Sequence, residues 1–298
     1  SMGGRPAAIS YRAVLTSMLL LAREGAPLHL TRMASLLQHR LAPESRDLLG
    51  LPTTARAFRN PTAEDDRWYN NTVRAFHRMR KLMDPFPVER YTAKSYAQIQ
   101  EILRNHDQDL EIKRKARLDE FTRRFLHMTF MIQPRAIRRA ARSMDLSFDQ
   151  TYIEMPTTTG FSRKHLAERV AKEKRLASLG EASPGPVDPF AGWHVKSGGG
   201  ERVDNTRGQV DETTPARRDD ANYQWGLVAN LAARVDAEAP GARRFPGLIV
   251  AASLSLPNME VAEEGAKLLA AAASFGLEPG IADADMQYFA NALPDRLL

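Results

Sequence analysis

Through the first half of the chain the apolar positions recur with a helical period. Tyr11, Val14, Leu15, Met18, Leu19 and Ala22 form one such series. After a break at Gly25-Ala26-Pro27, the period resumes with Leu30, Met33, Leu36, Leu37 and Leu41. Helix, short glycine turn, helix is compatible with a helix-turn-helix DNA reader, although most such pairs are plain helical hairpins. Residues 43–66 are polar and turn-rich, with a short hairpin or loop at 48–52. Trp68, Thr72, Ala75, Phe76, Met79, Leu82 and Met83 mark another helical face, which Asp84-Pro85-Phe86-Pro87 ends. Residues 92–143 read as largely helical. Ile99, Ile102 and Leu103 give one stripe; Leu110, Leu118, Phe121, Phe125, Met128 and Ile132 give a longer one that stops before Pro134.

At Asp145 the character changes. Residues 146–155 have strand composition and end at Pro156. Residues 157–222 read as a mixed insertion, with a basic helical piece over 163–179, Trp193-His194-Val195-Lys196, and a polar stretch over 198–220. Ser197-Gly198-Gly199-Gly200 is a loop rather than a phosphate cradle, because no Gly-Lys-Ser/Thr follows it. Residues 223–235 alternate, with Tyr223, Trp225, Leu227, Ala229 and Leu231 on one side, although the alanines leave a helix open. Leu248-Ile249-Val250 is a buried-strand run. Asn258 is placed to cap a helix through Phe275, with Glu260, Glu263 and Glu264 at its positive end and Gly276 at its close. A short apolar run after Pro279-Gly280 then leads into Asp283 and Asp285, as at the C-terminal edge of an α/β strand. The pattern predicts an α+β chain: a helical half at residues 1–143, then β, insertion, β, β, α, β at 144–298.

Charge sharpens this division. Residues 1–148 carry 26 Lys/Arg against 15 Asp/Glu, and residues 149–298 carry 16 against 21, so a basic half precedes a mildly acidic one. That split points the first half toward a polyanion, or toward an Arg-rich solvated surface. The candidate phosphate contacts are Arg32, Arg78, Lys81, Lys113, Arg114, Lys115, Arg123, Arg124, Arg138 and Arg139. Such side chains would give double-stranded DNA affinity without sequence choice. The absence of cysteine excludes disulfides and thiolate metal sites and fits a reducing cytoplasm. The seven histidines show no metal-ligand spacing. The apolar run at 13–22 is too short to span a bilayer and reads as a core helix, so no membrane partner is expected.

The chemistry of the second half rests on carboxylates. Asp149 stands in the first strand and Asp285 at the end of the last, with Asp283 on the same strand face as Asp285 because side chains two apart point the same way. Glu154 is five residues from Asp149 and falls on the opposite face. Tyr11-Arg12-Ala13-Val14-Leu15 with Pro27-Leu28-His29-Leu30-Thr31, Phe148-Asp149-Gln150-Thr151, Gly192-Trp193-His194-Val195 and Asp285-Met286-Gln287-Tyr288 are the pieces that carry a family likeness. In these, and in its order of elements, the chain resembles actinobacterial-type DDE transposases, whose catalytic domain has a ribonuclease-H-like fold.

The resemblance implies Mg²⁺-dependent DNA cleavage and strand transfer. Asp149 would be the first acid and Asp285 the second, with Asp283 its competitor, holding two Mg²⁺ about 3.5–4 Å apart. Carboxylates suit hard Mg²⁺, so neither cysteine nor histidine is needed. It also implies a homo-oligomer. A third acid should follow well beyond the second, but only thirteen residues follow Asp285. The resemblance therefore implies a C-terminally truncated, partial ribonuclease-H-like domain, incomplete for catalysis. The alternatives are a non-catalytic DNA-binding protein derived from a transposable element, and an unrelated helical interaction protein with an α/β domain. The charge split argues against the last.

Overall fold

A computed structural model describes residues 7–51, 60–88, 92–157, 159–181, 184–195, 223–257, 259–285 and 288. The glycine run at 197–200, the polar stretch at 198–220 and the cap expected at Asn258 lie outside the described residues. The chain forms two compact units that meet in sequence between Asp84 and Pro85. The helices between residues 96 and 138 thus belong with the sheet, whereas the charge and period patterns place the boundary after residue 143.

In the first unit, α1 (Tyr11–Arg23) starts where the Ser10 hydroxyl accepts the Ala13 N–H at 3.1 Å. Helix α2 (Leu30–Ser35) runs on into a π-helical turn, Leu36–Arg40, and α3 (Pro43–Leu48) and α4 (Pro61–Met83) follow. Val14, Leu21, Met33, Leu37, Trp68 and Ala75 belong to its core. Two features depart from the pattern reading. Residues 43–48 are helical, and α4 begins seven residues before Trp68. Its first turns lack an apolar stripe, but Pro61 sits at the first helical turn and Asn60 accepts the Ala63 N–H at 3.2 Å. Glu64 is then buried as the acceptor of the Trp68 indole N–H, at 2.9 Å.

The second unit holds α5 (Tyr96–Arg104), α6 (Gln108–Met131), the single turn α7 (Arg135–Arg138), β1 (Ser143–Glu154) and α8 (Leu166–Ser178). After these come β2 (Gly192–Val195), β3 (Tyr223–Val235), β4 (Ile249–Ser255), α9 (Val261–Ala273) and β5 (Glu278–Asp283). Strand β3 is central. One edge pairs antiparallel with β1, from Asp145↔Val235 to Glu154↔Gly226. The other edge pairs antiparallel with β2 at its start and with β4 at its end. On the far side of β1 lies β5, and this pairing is parallel. The unit is thus a mixed α/β structure with a mixed sheet.

Met144, Leu146 and Phe148 of β1, Ala232 of β3 and Val250 of β4 meet Leu268, Ala272 and Phe275 of the α9 region and Phe130 of α6 in one core. A second cluster, with Trp193, Trp225, Tyr96, Ile99 and Phe161, fills the other end of the sheet.

Two hydrophobic phases differ from the pattern reading. On α6 the stripe through Met128 and Ile132 is exposed, Ile132 at 76%, while Phe130 is buried against Phe275. Along the second half of β3 the buried series is Val228, Asn230, Ala232 and Arg234. The odd-numbered apolar residues there face outward more, because two polar side chains, Asn230 and Arg234, occupy the inner face.

Candidate functional site

Adjacent parallel strands lie about 4.8 Å apart, and side chains in register project to the same face. Ser147 of β1 is in register with Asp283 of β5. Asp149 and Asp285 each lie two residues farther along their chains, in the same direction. Asp149 is exposed, because its neighbour Phe148 takes the core-facing position. Its Oδ1 accepts the Gln150 backbone N–H at 2.7 Å. Asp283 and Asp285 are also exposed. Asp149 thus lies midway along β1, two residues past its last position paired with β5, and Asp285 follows the end of β5. Glu154 lies at the far end of β1, where it accepts from Gln224 Nε2 at 3.2 Å. Among the described residues no group of three or more His, Asp or Glu side chains is arranged to hold a metal ion.

What brings β5 to β1 is a buried aspartate that the sequence reading passed over. Asp145, 3% exposed, sits at the irregularity between the paired residues Met144 and Leu146. Its Oδ1 accepts the Ile281 N–H and the Ser143 hydroxyl, both at 3.0 Å, and its Oδ2 accepts the Ala237 N–H at 3.3 Å. Gly280 passes directly over this carboxylate, leaving no room for a Cβ.

Beneath the acids, on the α9 side, lies a polar network. Gln150 Nε2 donates to Asn230 Oδ1 at 2.9 Å, and Asn230 Nδ2 donates to Ser255 Oγ at 2.9 Å. Tyr288, 3% exposed, has its hydroxyl 3.3 Å from the Asp149 carbonyl and 3.4 Å from Asn230 Oδ1, so its single proton is shared between the two acceptors. Its ring packs on Phe148, 5.6 Å between centroids, and against Gly265 of α9. Burial, then the charge of Asp149, push the Tyr288 phenol up to about 12, with Glu264 and Asp285 adding to the rise. The hydroxyl therefore stays protonated and remains a donor. Tyr288 was visible in sequence only as the end of an Asp-x-x-Tyr motif; Asn230 and Ser255 gave no signal there.

The candidate phosphate contacts differ in their surroundings. In the first unit Arg32, Arg78 and Lys81 are exposed, Arg78 also donating to the Ile9 carbonyl at 3.4 Å. In the second unit Lys113 and Arg139 are exposed. Arg114 is 8% exposed and faces the protein. Lys115 is paired with Asp119 at 2.7 Å. Arg123 and Arg124 both bind Glu120, at 2.8 and 2.5 Å, and hold its carboxyl down to about 2. Arg138 donates to the Gln133 carbonyl at 3.2 Å.

Among the described residues no helix is long and apolar enough to cross a membrane. The chain matches no family model, no curated protein and no solved structure.

Proposed function

We propose that this protein binds double-stranded DNA and belongs with DDE-type transposases, with Asp149 and Asp285 as the acids of a Mg²⁺-dependent cleavage and strand-transfer site. The observation that carries the reading is the parallel pairing of β1 with β5, whose last paired residues, Ser147 and Asp283, each come two residues before one of the two aspartates. The antiparallel run β1, β3, β4, then a helix, then a strand parallel to β1 supports a ribonuclease-H-like core.

The donor set fits the ion. Exposed carboxylate oxygens on adjacent strands suit a hard cation that keeps water and phosphate oxygens among its ligands. Asp149 and Asp285 would hold it, with Asp283 alongside. When bound, Mg²⁺ would activate the attacking water or 3′-hydroxyl and steady the leaving oxygen. The chain's own part is placement. Asp145 fixes β5 against β1, and the exposed cations Lys113 and Arg139 would meet the phosphate backbone without reading sequence.

The test is nicking of supercoiled DNA with Mg²⁺ or Mn²⁺ by the whole chain and by Asp149→Asn. Metal-dependent nicking lost in the variant supports the reading; equal nicking by both would sink the assignment of Asp149. Affinity measured against salt tests the DNA arm. Lys113→Ala or Arg139→Ala should each flatten the log–log salt slope by about 1. The second reading, DNA binding without chemistry, has one observation in its favour: among the described residues no group of three acids is arranged to hold a metal ion. A steep salt slope without nicking would select it.

A further inference from the structure

We propose that Tyr288 is a positioning residue that links the two candidate acids to each other through their backbones. Its own N–H donates to the Asp285 carbonyl at 3.0 Å, and its hydroxyl donates to the Asp149 carbonyl at 3.3 Å. One residue therefore spans the gap, its side chain bonded to the strand that carries the first acid and its backbone to the segment that carries the second. The purpose of this link rests on the metal-site reading above; the link itself does not.

The surroundings hold the bridge in one place. The phenol shares its proton with Asn230 Oδ1, which is fixed by Gln150 of β1 and, through its amide nitrogen, lies against Ser255 of β4. Asn230 is fully buried, so its side chain has no water to exchange with. Above the ring, α9 closes down at Gly265, where an added Cβ would stand 3.0 Å from Tyr288 Cδ1. Asp285 lies beyond the last β5 residue paired with β1, at Asp283. The sheet pairing ends before Asp285, and the Tyr288 N–H bonds the Asp285 carbonyl beyond that end.

Tyr288→Phe is the decisive variant, because it keeps the ring against Phe148 and Gly265 and removes only the hydroxyl. Amide hydrogen exchange should speed up by about five- to tenfold over residues 281–285, the scale of one lost hydrogen bond, while the thermal midpoint stays close to the parent's. Unchanged exchange over those residues would overturn the proposal. Mn²⁺ binding, followed by its spin resonance, adds a readout that a purely structural role would not move. Tyr288→Phe should weaken it about tenfold, and should cost nothing further in an Asp149→Asn background. Unchanged Mn²⁺ affinity in Tyr288→Phe, where the parent's binding needs Asp149, would also overturn the positioning role. If the parent and Asp149→Asn bind Mn²⁺ alike, the metal reading fails. The exchange arm then decides alone: acceleration confined to residues 281–285 supports the bridge, and its absence overturns it.

Discussion

Replacing Gly280 with alanine should be among the most damaging small changes in the second unit. A Cβ built there falls on Asp145 Oδ1, and it stands 2.9 Å from the Met144 carbonyl oxygen and 3.0 Å from the Asp145 nitrogen. The two backbone atoms belong to β1 and cannot yield without moving the strand. The carboxylate can yield only by giving up its bonds to the Ile281 N–H, the Ser143 hydroxyl and the Ala237 N–H. Overpacking of this kind costs about 1–3 kcal/mol. Weakening hydrogen bonds to a buried charge adds about 1.5–3 kcal/mol. A loss of about 3–5 kcal/mol is expected, a large fraction of the roughly 5–15 kcal/mol of a whole domain. Urea unfolding followed by tryptophan fluorescence reads it, since Trp193 and Trp225 report on this unit; Trp68 belongs to the other, so each transition is fitted separately. The same substitution in an Asp145→Ala background should cost only the backbone part, about 1–3 kcal/mol. A penalty below about 0.5 kcal/mol in the parent, or an equal penalty in both backgrounds, would refute the account of how β5 is held.

Two further outcomes follow from buried groups in the same unit. The Tyr288 phenol should titrate near 12 in an ultraviolet difference titration, and that step should vanish in Tyr288→Phe. Its folded value lies above the ordinary 10.0, so above that pH the unfolded chain loses a proton the folded chain keeps. The stability it contributes is complete below pH 10 and is lost as pH rises toward about 12. Arg234, 1% exposed, lies against the Phe245 ring at 3.8 Å and donates to the carbonyls of Ile137 and Arg138 at 3.4 and 3.0 Å. Arg234→Ala opens a cavity and orphans both carbonyls, for a loss of about 3–5 kcal/mol in urea unfolding, whereas Arg234→Met should lose less because it refills the volume. Equal losses would show that packing plays no part.

Legibility tracked the type of signal. Strands β1, β3 and β4 and helix α9 fall where short apolar runs, glycine and acidic starts place them, because those signals are local. The helix over residues 61–67 was illegible because its inward residue is Glu64, a carboxylate made acceptable by the Trp68 indole. The inner face of β3 was misread for the same reason: Asn230 and Arg234 are buried through partners on β1, β4 and α7, which no period can reveal. The candidate acids were legible as residue types. The candidate phosphate contacts on α6 were less so, since Arg114 turned inward and Arg123 and Arg124 share Glu120.

The sequence by itself determined where helices give way to strands, that the basic charge lies in the first half, and that carboxylates close the last strand. Local periodicity and composition carry all of that. Only the tertiary structure decided that β5 pairs parallel to β1 with Ser147 opposite Asp283, and that Tyr288 reaches the backbones of both Asp149 and Asp285. Those facts depend on groups more than a hundred residues apart, joined through one buried carboxylate at Asp145 and one glycine, Gly280, whose missing Cβ lets the strands meet.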